Sequence, residues 1–282
     1  MEWMSRFAFR TQSFVAATPL LAVGILACAL SAVAAEPGKG VNLYSIPQEI
    51  ALGRQMAAEV EKQAHVVNDP IVAEYINRLG QNLALQANAP FPVTVKMIRS
   101  DEVNAFTLPG GFVYVNSSLM KMADNEAELA SVVAHEIGHA AARHATRQAT
   151  RGKLSKLAAI PLTALTGWGG FAARQVAGAA APVAGLSFSR EFETEADRLG
   201  LGYLSEAGYD PNASVEMFER IASMERKTPG AVAKLFLSHP PMGDRILKTQ
   251  AAIAKLTREA TAYIVNTSDF ETVRARVMAG AE

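Results

Sequence analysis

Between residues 47 and 83 apolar side chains recur three and four positions apart. Pro47 is followed by Ile50, Leu52, Met56 and Val60, and Pro70, at a first-turn position, by Ile71, Tyr75, Ile76, Leu79 and Leu83. That spacing predicts two scaffold helices. From Val93 the period changes to two, with Val93, Val95 and Met97 alternating with Thr94 and Lys96 up to Ile98, the pattern of a half-buried strand. Phe106 to Val115 sets Pro109-Gly110-Gly111 between two short apolar runs, which predicts a hairpin whose second strand is Phe112-Val113-Tyr114-Val115. Asn125 with Glu128 three residues on reads as a capping box, after which Leu129, Val132, Val133, Ile137 and Ala140 recur at helical spacing. A further helix is predicted from about Ser189 to Leu204, with Phe192, Ala196, Leu199 and Tyr203 as its buried stripe. The sum is an α+β fold, mainly α-helical, with a small antiparallel sheet. No internal repeat is visible, and about one helical hairpin follows Arg245, less than an array of at least three units of about 34 residues requires.

The N-terminus has a different pattern. Arg6 and Arg10 precede an uncharged stretch from Phe14 to Ala35, after which Glu36, Pro37, Gly38 and Lys39 open a polar segment. This is the layout of an export signal, with small residues Val33 and Ala35 before a cut after Ala35. Cleavage leaves a periplasmic or secreted protein. Two alternatives stand beside it: an uncleaved membrane anchor, for which the apolar run is long enough, and lipid attachment at Cys28 in Ile25-Leu26-Ala27-Cys28.

Composition narrows the chemistry. The chain has 27 Lys+Arg against 27 Asp+Glu, and 50% of its residues are hydrophobic, so it is neither disordered nor marked by the charge of a nucleic-acid binder. Its single cysteine excludes an intrachain disulfide and a thiolate zinc cage, which leaves imidazole and carboxylate as metal ligands. Five histidines are therefore the residues to place.

Val133-Ala134-His135-Glu136-Ile137-Gly138-His139 puts two imidazoles four residues apart on one helix face, with a carboxylate between them. His135 and His139 can ligate one zinc ion per chain, whose water falls in pKa toward about 7 with Glu136 beside it as general base. A third ligand is needed, and Glu191, Glu193 and Glu195 are the candidates. In the helix after Ser189, Glu191 falls on the far side with Arg198, whereas Glu193 aligns with Asp197 beside Gly200, a residue that lets another helix approach closely. Glu193 is the expected ligand and Glu195 the runner-up. Asp197 is expected to hydrogen-bond a ligating histidine or to take part in proton transfer. His144, read as lying on the core side of the zinc helix, and the isolated His65 are expected to be structural.

These motifs resemble the zinc metallopeptidase family that includes HtpX, the CAAX prenyl proteases and BepA-type periplasmic proteases. His135-Glu136-x-x-His139 and Ser189-Arg190-x-x-Glu193-x-Glu195-Ala196-Asp197 carry the likeness. So do Asn104-Ala105-Phe106-x-x-Pro109-Gly110-Gly111 with Val113-Tyr114-Val115, and His239-Pro240-Pro241 with Arg245. The resemblance implies a zincin-like domain, Glu193 as third ligand and Asp197 as proton donor. It implies for His239 either an oxyanion-stabilising role or that of a fourth ligand capping the zinc at rest; Arg245 binds the substrate carbonyl or pairs with a carboxylate such as Asp197. It further implies that Asn104, Ala105, Phe106, Gly111, Val113 and Tyr114 supply an edge for an extended substrate, the kind of site that suits unfolded chains.

Leu154 to Ser189 is rich in Ala and Gly, with only Lys156 and Arg174 charged. Pro161, Gly167, Gly169, Gly170 and Pro182 interrupt it, so a hydrophobic lid that covers the cleft or touches a membrane surface is expected rather than a full span. The expected organisation is an export segment (1–35), a catalytic domain (36–245) with the 154–189 insertion, and a C-terminal helical extension (246–282). The expected activity is zinc-dependent endoproteolysis of misfolded or unassembled envelope proteins, with no nucleic-acid partner. The alternative is a chaperone or assembly factor that holds unfolded chains at an edge strand and rarely cuts them.

Overall fold

Caps and prolines start the helices. The computed structural model describes residues 40–158, 188–228, 239, 243–256 and 263–280. The export segment and nearly all of the predicted lid lie outside the described residues. In α1 (Ile46–Gln63) the Ser45 hydroxyl accepts from Gln48 N while the Gln48 side chain accepts from Ser45 N, so two backbone donors are satisfied reciprocally. Asp69 caps α2 (Pro70–Ala84), which buries Val72, Tyr75, Ile76, Leu79 and Leu83. Asn125 caps α4 (Glu126–Ala141), but the Glu128 carboxylate accepts from Asp124 N at 2.9 Å instead of closing the box on Asn125. The Arg220 guanidinium, at 2.9 and 3.0 Å, holds that carboxylate on the outer side.

Three strands, β1 (Thr94–Ile98), β2 (Ala105–Leu108) and β3 (Phe112–Asn116), form one sheet in the order β1-β3-β2. The predicted hairpin is β2–β3, antiparallel, turning through Gly110 and Gly111 at φ 75° and 88°. The expectation of an antiparallel sheet is corrected: β1 runs parallel to β3, with Val95 opposite Val113, so the sheet is mixed. Period-two alternation records which face a side chain takes, not which strand lies beside it. As the central strand β3 is buried on both faces. Val113 and Val115 join the main core with α2 and α4, while Tyr114 packs with Ala57, Ile98 and Leu108 beneath α1. Val67 N and Arg99 N bond across β1 to Met97 O and His65 O, which covers that border of the sheet. β2 forms the other border.

The remaining described helices are α3 (Ser117–Met122), α5 (His144–Ala158), α6 (Arg190–Glu206), α7 (Ala213–Lys227), α8 (Gly243–Ile253) and α9 (Ser268–Met278). Phe270, Val273 and Val277 of α9 belong to the main core. The strand-like segment before α9 ties to the start of α4, where Ala127 N donates to Val265 O and the Glu126 carboxylate accepts from Tyr209 and Thr267. Among the described residues no helix is long and apolar enough to cross a membrane.

The contact that positions everything below is the crossing of α4 and α6. A Cβ on Gly200 would stand 2.9 Å from the Cα and N of His135, and one on Gly138 2.9 Å from Ala196 O. All three atoms are backbone and cannot yield, so the helices touch only because both side chains are hydrogen. Gly202, two residues on, faces open space. Gly200→Ala is therefore expected to lower stability by about 2 kcal/mol, while Gly202→Ala raises it by about 0.5–1 kcal/mol through helix propensity. Urea denaturation of the two variants in chelator measures both.

Candidate active site

The imidazoles of His135 and His139 project from α4 toward α6, which supplies Glu193 and Asp197, while the Glu136 carboxylate meets Thr107 of β2 and His239; His239 lies in the segment before α8, and Arg245 in α8. Ser189, whose hydroxyl accepts from Phe192 N, caps α6 four residues ahead of Glu193. His135 Nε2 and His139 Nε2 are 3.0 Å apart, Glu193 Oε1 is 3.3 Å from His139 Nε2, and Glu193 Oε2 is 3.6 Å from His135 Nε2. His239 Nδ1 completes the group, 3.4 Å from His135 Nε2 and 3.0 Å from Glu193 Oε1. All four residues are buried. Four donors each about 2.0–2.1 Å from a tetrahedral ion lie roughly 3.3 Å from one another, so this all-imidazole-and-carboxylate set fits a metal ion.

Around the donors stand the groups that hold them. Asp197 Oδ1 lies 2.9 Å from His135 Nδ1, and Arg245 grips the same carboxylate twice, Nε to Oδ2 at 2.8 Å and Nη2 to Oδ1 at 2.6 Å. These bonds are the carboxylate pairing considered for Arg245. Arg245 Nη1 is also 3.2 Å from Glu193 Oε2. Glu195 points away from the cluster to His144 and Arg147, and Glu191 pairs at the surface with Arg151.

Charge is concentrated here. Burial alone raises the Glu136 carboxyl, but His239 with His139 and His135 outweighs it and holds the group at about 2. Glu193 lies below the ordinary carboxylate range: burial raises it, and His239, His135 and His139 overcome that. Asp197 sits at about 2, burial being overcome by His135 and Arg245. Burial lowers His239, yet Glu136 and Glu193 push it up to about 10. His139 falls to about 4 through burial, against the opposing pull of Glu193. The carboxylates thus draw a positive charge onto the point where the donors meet, which is what a resident cation supplies.

Two residues here escaped the sequence reading. Thr107 of β2 donates its hydroxyl toward Glu136, 2.8 Å from Oε2 and 2.9 Å from the backbone O. Its signal was parity: it shares the inward phase of Ala105, paired through β3 with Val113 and Val115. His144 is not on the helix of His135 and His139 but begins α5, after a break at Arg143, whose φ is 56°. Its Nδ1 is 2.9 Å from His139 Nδ1. The break carries no Gly or Pro; Arg143 is held in its left-handed conformation by Glu49 (2.5 Å) and Tyr44 O (2.7 Å). His65 is not among the residues that gather here.

The predicted substrate edge is adjacent. Ala105 and Val113 are core residues, Phe106 stacks on Tyr114 at 5.2 Å on the α1 face, and the Tyr114 hydroxyl donates to Glu61. Gly111 packs on Pro92, and Asn104 O accepts from Asn116 N. None of these side chains joins the donor cluster; Ala105 and Phe106 lie on the border strand β2, whereas Gly111 is in the turn and Val113 and Tyr114 are on β3, whose main chain is paired on both sides. Beside the cluster a recess of about 40 Å³ is lined by Val132, Leu201, Phe218 and Ile221 together with His135 and Glu136.

The model of peptidase family M48 matches residues 70–253. The chain belongs to peptidase family M48. This M48 chain is similar to the beta-barrel assembly-enhancing protease of Escherichia coli (strain K12), 31% identical over 253 residues, covering 84% of this chain and 50% of that protein. It is 34% identical over 213 residues to the same-named protein of Yersinia pestis, covering 72% of this chain and 43% of the relative. The mitochondrial metalloendopeptidase OMA1 of Saccharomyces cerevisiae is 33% identical over 150 residues, 52% of this chain and 42% of that one. The chain spans about half the length of the beta-barrel assembly-enhancing proteases it matches.

A donor set of this kind gives an expected outcome. Protein dialysed against a divalent metal and then against buffer retains roughly one ion per chain by elemental analysis, and His139→Ala retains none.

Proposed function

We propose that the chain is a zinc-dependent endopeptidase, exported to the cell envelope, that cleaves misfolded or unassembled proteins. The observation that carries this reading is the convergence of His135, His139 and Glu193 on one point with Glu136 alongside, in a chain of a peptidase family. Export rests on the Arg6 to Ala35 pattern.

His135, His139 and Glu193 would hold the zinc ion. When bound, it supplies a Lewis acid and a water acidic enough to lose a proton near neutral pH. Glu136, ionised and steadied by the Thr107 hydroxyl, is placed to take a proton from the water whose oxygen bonds to the scissile carbonyl carbon, and to give it to the amide nitrogen as the C–N bond breaks. Asp197 keeps the His135 proton on Nδ1 so that Nε2 presents its lone pair, and Arg245 keeps Asp197 ionised and in place. An extended chain adds to the outer side of β2 through main-chain hydrogen bonds, with little demand on its sequence. The side chain flanking the scissile bond enters the apolar recess at Val132, Leu201 and Phe218.

His239 acts as a cap. Its Nδ1 is as close to the His135 and Glu193 donors as these are to their neighbours in the group, which supports a fourth ligand at rest over an oxyanion donor. Movement of the imidazole out of the group would then make room for substrate.

A second reading draws on the relatives, whose name pairs protease with assembly-enhancing. In it the chain binds unfolded or half-assembled proteins at β2 and releases most of them uncut.

Cleavage of unfolded casein separates the readings. Activity is expected with zinc, to vanish in chelator, and to fall about 10²–10⁴-fold in Glu136→Gln; equal activity in both proteins overturns the protease reading. Casein binding without turnover, the same in both, favours the assembly factor. His239→Ala is expected to raise the rate, and a fall of about a hundredfold assigns the residue to the oxyanion instead.

A further inference from the structure

His139 has two ring nitrogens, and only one of them faces the donor cluster. Nε2 lies among the ligand atoms, while Nδ1 is 2.9 Å from Nδ1 of His144. A neutral imidazole carries one donor and one acceptor. If Nε2 of His139 offers its lone pair to a cation, its proton sits on Nδ1, and the atom placed to accept that proton is Nδ1 of His144. His144 must then carry its own proton on Nε2, which lies 3.1 Å from Oε2 of Glu195. The opposite arrangement turns a lone pair of His144 against a carboxylate and drives the His139 proton into the middle of the ligand atoms.

From this we infer that Glu195 and His144 form a relay that sets the tautomer and ring orientation of His139, making both of them positioning residues of the metal centre. The inference rests on the reading of His139 as a metal ligand.

The surroundings hold the relay still. His144 is fully buried and its ring stacks on Phe192 at 4.4 Å, 16° from parallel, while His139 stacks on Phe188 at 4.1 Å. Arg147 binds the same oxygen of Glu195 at 3.0 Å and the carbonyl of Ala142 at 3.2 Å, which anchors the carboxylate to the end of α4. The left-handed turn at Arg143 brings the His144 ring back under His139; continued as one helix, residue 144 would lie well off the face of 135 and 139. The two ligand imidazoles are thereby treated alike. Each is backed by a carboxylate of α6, Asp197 directly at His135 and Glu195 through one intervening ring at His139.

The test is zinc affinity of the full chain by competition with a chromophoric chelator. His144→Phe keeps the ring volume and the stack on Phe192 but removes the acceptor, and is expected to weaken binding about 10–100-fold. His144→Asn places an amide oxygen near the lost Nδ1 and is expected to recover most of that loss. Binding in both variants equal to the parent overturns the relay, and so does His144→Asn as weak as His144→Phe, which assigns the effect to packing. A parent chain that binds no zinc overturns instead the reading of the site on which the relay rests. Should either variant fail to fold, nitrogen-15 spectra of the zinc-loaded parent decide alone: the relay requires the proton on Nδ1 of His139 and on Nε2 of His144, and the reverse tautomer at His144 refutes it.

Discussion

The close crossing of α4 and α6 is the constraint from which the site follows. Packed helices ordinarily stand 8–10 Å apart, with side chains filling the space between axes. At Gly138 and Gly200 that filling is absent, and backbone meets backbone at His135 and Ala196. A glutamate is short, and with a wider separation Glu193 could not lie within 3.3 to 3.6 Å of both histidine nitrogens while Asp197 reached the back of one ring. The site geometry is thus a by-product of how tightly two helices pack.

That tightness carries an electrostatic penalty. Glu136, Glu193 and Asp197 are withdrawn from water within a few ångströms of one another, and burying such groups is costly unless each is paired. His239 and Arg245 supply the balancing charge in the protein alone. Where a cation joins them, its binding free energy adds to the free energy of folding, because the donors are assembled only in the folded chain. The same reasoning explains why both ends of α4 are fastened, Glu126 to Tyr209 and Thr267 at one end and the Arg143 turn to Glu49 and Tyr44 at the other.

Much of this was legible in the residues. Apolar spacing and caps located α2, α4 and α6 to within a residue or two and the body of α1, Pro109-Gly110-Gly111 located the hairpin, and the helical angle of Glu193 separated it from Glu191 and Glu195. What periodicity cannot carry is partnership. The parallel pairing of β1 with β3 depends on how the chain crosses over, and no residue of either strand marks it. Thr107 meets Glu136 only once β2 has its register. His144 was misplaced because the break before it depends on Glu49 and Tyr44, about a hundred positions upstream, holding Arg143 in a conformation its own type disfavours. In each case the missing information was long-range.

The order of the strands has an effect of its own. The chain lays down β1 and β2 first and then threads β3 between them, so the last strand made becomes the middle one. Were the strands arranged in the order of synthesis, β2 would have a neighbour on each side and every one of its amides and carbonyls would be used within the sheet. Insertion of β3 at the centre leaves β2, among the described residues, paired on one side only and alongside the helix that bears Glu136, which is where the proposed reading would have an extended segment add as a fourth strand.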